Sequence, residues 1–127
     1  QTLDLVVLAW DGGPAAARAM ADALPILRRA GEVRVLTVAG DKPGVDDDRA
    51  SEALRHLRAH GVNAVANAVQ AHGETIGQVL SGYLLQHDAD LLVMGAFGHS
   101  RLRDFILGGA TGHMLGGGAS TPVMMSH

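Results

Sequence analysis

The chain has 127 residues, enough for one domain that buries its own core, and no Cys, which excludes disulfides, thiolate catalysis and cysteine-ligated zinc. With a formal charge of −3 and 3% aromatic residues it lacks the basic face and stacking platforms of a nucleic-acid binder. The absence of Cys makes the cytoplasm the expected compartment, and with no apolar run near the roughly 20 residues of a membrane span and no basic n-region followed by an h-region the chain is expected to be soluble.

Leu3 to Ala9, LDLVVLA, is almost wholly apolar, as a strand covered on both faces of a parallel sheet should be. After Trp10-Asp11-Gly12-Gly13, Pro14 suits a first helical turn. Ala17, Met20, Ala21, Leu24 and Leu27 then recur at helical spacing, with Arg18, Asp22, Arg28 and Arg29 on the other side. Gly31 is expected to stop this helix, and Val33 to Val38, VRVLTV, reads as the second strand. Asp46, Asp47 and Asp48 favour the start of a second helix, whose apolar face is Ala50, Ala53, Leu54 and Leu57 and which ends at His60-Gly61. Val62 to Val69 is a polar-interrupted strand suited to a sheet edge. Glu74 to His87 reads as a helix with Ile76, Val79, Leu80 and Tyr83 aligned, and Asp90 to Met94 as a buried strand. The last strand is placed at Pro122 to Ser126, where a leading Pro removes no ladder donor.

The alternation predicts an α/β fold, a single domain over 1–127 with an open five-stranded parallel sheet in the order 3-2-1-4-5 and helices on both faces, a Rossmann-like arrangement. Ligands of such sheets bind beyond the carboxyl ends of the strands at the switch point. Here that point lies between strands 1 and 4, which brings Asp11 to Gly13 beside Gly95 to Gly98.

The stretch that follows strand 4, GAFGHSRLRDFILGGAT, holds Gly95 and Gly98, then Gly108 and Gly109 nine residues on. Glycines there let backbone N–H groups approach a ligand, and a helix start favours anions, so the segment reads as a phosphate cradle. It matches neither GxxxxGK[ST] nor GxGxxG. A short helix is expected inside it, weakened by Gly112 and Gly116 to Gly118.

Strand context, glycine spacing and Asp11 together resemble the universal stress protein family over essentially the full length, a fold akin to the adenine nucleotide alpha hydrolases. Its nucleotide-binding subgroup carries a glycine, two residues, a glycine, nine residues, then Gly-Ser or Gly-Thr, which Gly95, Gly98 and Gly108 reproduce. The resemblance implies ATP or a related adenine nucleotide, with Mg2+, as ligand. Ala9, Asp11 and Val38 would flank the adenine and Met94 would close the pocket. Gly95 and Gly98 would admit ribose and phosphates, and Gly108, Gly109, Ala110 and Thr111 would wrap the phosphates. It implies a stress-response domain acting by conformation and association, without catalytic residues, weak ATPase activity being left open. The alternative is a nucleotide-free dimerisation or partner-binding module.

Gly109 stands where the subgroup has a hydroxyl residue, Gly13 where Ser is common, and Phe97 where a polar residue is frequent. One lost hydrogen bond to a charged phosphate costs about 1.5–3 kcal/mol. Arg101 and Arg103 either reach phosphates or form a solvated loop. His56 and His60 have ligand spacing but lack a third ligand and the HExxH glutamate, so they read as solvent-exposed. His99-Ser100 has no nucleophile elbow around it. Val123, Met124 and Met125 would give the last strand an apolar edge suited to a homodimer or to a second stress-protein domain. The stretch GAFGHSRLRDFILGGAT together with the MSH ending also resembles the C-terminal halves of tandem members.

Overall fold

The computed structural model describes residues 3–39, 49–95 and 121–126. Strand β1 (Leu5–Ala9) is buried along its whole length. It is followed by α1 (Pro14–Arg29), β2 (Glu32–Ala39), α2 (Arg49–Ala59), β3 (Ala64–Gln70), α3 (Ile76–His87), β4 (Leu91–Gly95) and β5 (Val123–Ser126). The sheet order is β3-β2-β1-β4-β5 with every pair parallel, as the alternation predicts.

Side-chain alternation along β1 divides the core into two layers. Val6 and Leu8 join α1 and α2 with Val33, Val35 and Val93 on one face. Leu5, Val7 and Ala9 join Leu80, Tyr83 and Leu84 of α3 with Leu36, Leu92 and Met94 on the other. Val6, Val7 and Leu8 are completely buried. Burial of each such side chain contributes about 1.5–3 kcal/mol.

Several local readings shift. The buried side of α1 is Ala16, Ala19, Met20, Ala23 and Leu27. Ala17 and Ala21 are exposed and Leu24 is half-buried, because small alanines let the helix lie close to the sheet and turn its face by about one position. Pro25 lies inside α1 on its exposed side, where the carbonyl it leaves unpaired can meet water. The helix ends on extended Ala30, and Gly31 is no left-handed cap. A Cβ at Gly31 would meet the Asp4 carbonyl oxygen at 2.9 Å, so this glycine serves the close pass of the β2 entry along β1. Gly31 N–H donates to Leu3 O and Glu32 N–H to Asp4 O.

Strand β1 starts at Leu5 because the Asp90 carboxylate takes the N–H groups of Asp4 and Leu5, both at 2.9 Å. Helix α3 starts at Ile76, two residues later than the apolar pattern suggests. Thr75 caps it through a reciprocal box, its Oγ1 accepting from Gln78 N–H while Gln78 Oε1 accepts from Thr75 N–H. Strand β3 lies at a sheet edge, as its polarity implies. The expected start of α2 at Asp46 to Asp48 and the short helix after strand 4 lie outside the described residues.

A polar cluster ties α3 to β2 and β3. Asn67 Nδ2 donates to Tyr83 Oη at 2.6 Å, and Arg34 donates to Tyr83 Oη at 3.3 Å, to His87 Nδ1 at 3.0 Å and to Glu32 Oε2 at 2.6 Å. Glu32 first, and Tyr83 second, hold the Arg34 guanidinium above its ordinary range, so it is a permanent donor and His87 Nδ1 accepts. Tyr83→Phe keeps the ring but removes the acceptor shared by Asn67 and Arg34. It should cost about 1–3 kcal/mol, read as a lower urea midpoint with an unchanged slope.

Candidate functional site

Strand β1 ends at the switch point, and the chain turns there through a tight polar loop. Trp10 N–H still donates to Leu36 O at 2.9 Å. Asp11 Oδ1 then accepts from Gly13 N–H at 2.8 Å, and Gly12 takes φ +80°, a left-handed conformation that suits glycine. Gly13 is the N-cap residue of α1 and has no side chain to cap with, while Pro14 opens the helix. Asp11 therefore steadies the turn one residue ahead of the helix. A Cβ at Gly13 would lie 3.1 Å from Asp11 Oδ1, so a larger residue there would require the carboxylate to shift by a few tenths of an ångström.

Three expected contact residues share a face. Leu8 pairs with Val93, so Ala9 and Met94 come next on adjacent strands, and both belong to the core layer on the α3 side. Val38 follows Leu36, a member of that layer, by two residues along β2, which puts it on the same side. Ala9 and Met94 are buried while Val38 is half-buried. The carboxyl ends of β1, β2 and β4 thus form an apolar floor with the Asp11 turn at its rim.

Gly95 has a packing role of its own. A Cβ there would lie 2.6 Å from both the Ala15 carbonyl oxygen and the Ala16 nitrogen, so backbone meets backbone where α1 crosses β4. Gly98, Gly108, Gly109, Ala110 and Thr111 lie outside the described residues, as do Phe97, His99, Ser100, Arg101 and Arg103.

On the opposite face, between α1 and α2, lies a cavity of about 380 Å³ lined by Trp10, Gly12, Ala17, Met20, Glu52 and His56, together with Ala53. The sequence reading passed over it. Its one signal was Trp10, the single Trp of the chain, placed directly after a buried strand. The His56 and His60 rings lie tilted against each other with centroids 4.4 Å apart, and His60 Nδ1 lies 2.8 Å from His56 O just past the end of α2. Among the described residues no group of His, Asp or Glu is arranged to hold a metal ion, and no helix is long and apolar enough to cross a membrane.

Comparison with known proteins places this architecture. The model of the universal stress protein family matches residues 3–127. A comparison with curated protein sequences gives no match. Among solved structures, the chain is similar to a universal stress protein from Archaeoglobus fulgidus at 21% identity and a TM-score of 0.73, covering 99% of this chain and 95% of that one. It is similar to UspA from Lactobacillus plantarum at 17% identity and a TM-score of 0.67, covering 100% and 99%. A universal stress protein described in complex with cAMP matches at 24% identity and a TM-score of 0.71, covering 100% and 98%.

Gly95→Ala should force α1 off β4 and cost about 1–3 kcal/mol or more, measured by urea unfolding. Gly82→Ala on α3, where a Cβ meets nothing within 4 Å, should be neutral or stabilise by up to about 1 kcal/mol. Equal behaviour of the two variants would remove the packing account of Gly95.

Proposed function

Because this chain belongs to the universal stress protein family, we propose that it binds ATP or a related adenine nucleotide at the carboxyl ends of β1, β2 and β4. The observation that carries this reading is the apolar floor of Ala9, Val38 and Met94 beside the Asp11 turn. Apolar strand ends suit the face of a purine, and a carboxylate beside them supplies acceptors for the polar edges of a nucleoside. The cAMP complex of the neighbour at 24% identity supports an adenine nucleotide as the ligand class. Gly95, Gly98 and Gly108 keep the spacing of the family's phosphate-binding subgroup, and Gly108, Gly109, Ala110 and Thr111 are the proposed phosphate wall. Mg2+ would accompany the phosphates and neutralise part of their charge.

In this reading the domain acts in the cytoplasm through conformation and association rather than turnover. Half-buried Val123, Met124 and Met125 support association through β5, with a second copy or with another stress-protein domain. Those same residues favour the second reading, a dimerisation module that needs no nucleotide.

Denatured pure protein should release an adenine nucleotide detectable by mass spectrometry, and calorimetric titration with ATP and magnesium should give a saturable heat. Val38→Glu sets a carboxylate against the purine and should weaken binding at least tenfold, about 1.4 kcal/mol. No copurified nucleotide together with no heat at millimolar ATP would refute the proposal. Sedimentation with and without ATP separates the second reading, which expects association independent of nucleotide.

A further inference from the structure

Among the described residues, β3 is an edge strand with few of the usual guards. From Val62 to Ala71 the sequence VNAVANAVQA contains no charged residue and no Pro. Its pairing with β2 runs unbroken from Val33↔Ala64 to Ala39↔Gln70, with no bulge to twist the edge away. Proteins ordinarily protect an edge of this length with one of those devices, because unpaired N–H and C=O groups template another strand.

The bond from Val33 N–H to Asn63 O fixes which groups are available. In a parallel ladder the backbone groups of alternate residues turn to the neighbour, so those of Val65, Asn67 and Val69 point to β2. Those of Ala64, Ala66, Ala68 and Gln70 point outward. Arg58 Nε donates to the Ala64 carbonyl at 3.1 Å and covers that end. The outward groups of Ala66 and Ala68 carry no such cover among the described residues.

We propose that this edge binds the same edge of a second copy of the chain, β3 to β3 and antiparallel about a two-fold axis at Asn67. The strand is built for it. Val65-Ala66-Asn67-Ala68-Val69 reads the same in both directions, so each position meets its own kind: Ala66 faces the partner's Ala68 and Val65 faces the partner's Val69. The hydrogen-bonding parity agrees, since Ala66 and Ala68 both turn their backbone groups outward and therefore form the bonded pairs of an antiparallel ladder. Asn67, turned to β2, falls at a non-bonded pair on the axis. Moving the axis to Val65 or Val69 would keep the parity but shorten the ladder.

A recess on the α3 side completes the fit. Val69, with Val79, Gly82, Tyr83 and Gln86, lines a cleft of about 240 Å³ where α3 leaves the edge uncovered. Val65 is 37% exposed and stands on the same face of β3, so the partner's Val65 arrives beside that cleft. Two edge strands alone fall short of the roughly 1,200–2,000 Å² of a standard interface, so the association is concentration-dependent. It uses the edge opposite β5 and is independent of nucleotide.

The chain has no Cys, so a single introduced thiol reports the axis. Asn67→Cys puts two thiols across a non-bonded pair, with Cα atoms about 4.5 Å apart, within disulfide reach. Mild oxidation should convert most of it to a cross-linked dimer. In Val65→Cys the two thiols stand four positions apart along the ladder, about 13 Å, and cross-linking should fall at least tenfold. Equal cross-linking of the two, or none in either, would overturn the proposal. Ala68→Pro removes only an outward N–H and leaves the β2 ladder whole. It should keep a wild-type circular dichroism spectrum and lower the association constant at least tenfold by sedimentation equilibrium in nucleotide-free buffer, halving the largest species if β5 also associates. Unchanged association would also overturn it, and because neither the Asp11 floor nor β5 is touched, the nucleotide reading would stand.

Discussion

The complete burial of β1 is the constraint on which the rest of this molecule depends. Its five residues have no water-facing side, so each must be matched by a layer of side chains above and below the sheet. The α1 and α2 alanines, leucines and methionine meet Val6 and Leu8, while α3 meets Leu5, Val7 and Ala9. A strand buried on both faces must also be paired on both edges, since an orphaned N–H or C=O there would cost as much as a lost hydrogen bond. Strands β2 and β4 provide that pairing from opposite sides. The reversal of chain order around β1, and with it a crevice at the carboxyl edge, is the geometric result of satisfying one strand.

The loops at that crevice are shaped by packing before any ligand is considered. Gly13 keeps a Cβ away from the Asp11 carboxylate, and Gly95 lets α1 approach β4 backbone to backbone. In the family pattern these two positions read as ligand chemistry. In the folded chain Gly95 has a structural duty, whereas Gly13 lies in extended backbone and meets only the carboxylate end of Asp11. Structural and binding duties are compatible, because a helix start held close to a sheet end is also where backbone N–H groups converge.

The sheet edges have different characters. At β5 the half-buried Val123, Met124 and Met125 reach into the two core layers. At β3 the side chains are small or amidic, and the polar cluster of Arg34, Tyr83, His87 and Asn67 fastens the strand to α3 from the inside. Inward anchoring of Asn67 holds β3 in register while the outward backbone groups of Ala66 and Ala68 carry no cover among the described residues. A fixed, flat edge is a better template than a frayed one, since less conformational entropy is lost when another strand pairs with it.

Fold class, strand order and the place of the crevice were legible in the sequence, because they follow from hydrophobic period and alternation, which are local properties summed over long windows. Ala9, Val38 and Met94 could be assigned to strand ends for the same reason. That they share one face follows from a side-chain period of 2 once the register between strands is known. Other features needed the tertiary structure. The buried face of α1 was misjudged because alanine is apolar on either side of a helix, and only the close approach to the sheet selects Ala16, Ala19 and Ala23 over Ala17 and Ala21. Gly31 and Gly95 were read as a helix stop and a ligand opening, yet their neighbours, Asp4 and Ala15, are remote in sequence and near in space. The cavity behind Trp10 and the network around Tyr83 likewise join residues from separate elements, which no one-dimensional pattern brings together. Local periodicity therefore determined which elements form and in what order, whereas distances between elements decided what each glycine, alanine and polar side chain is for.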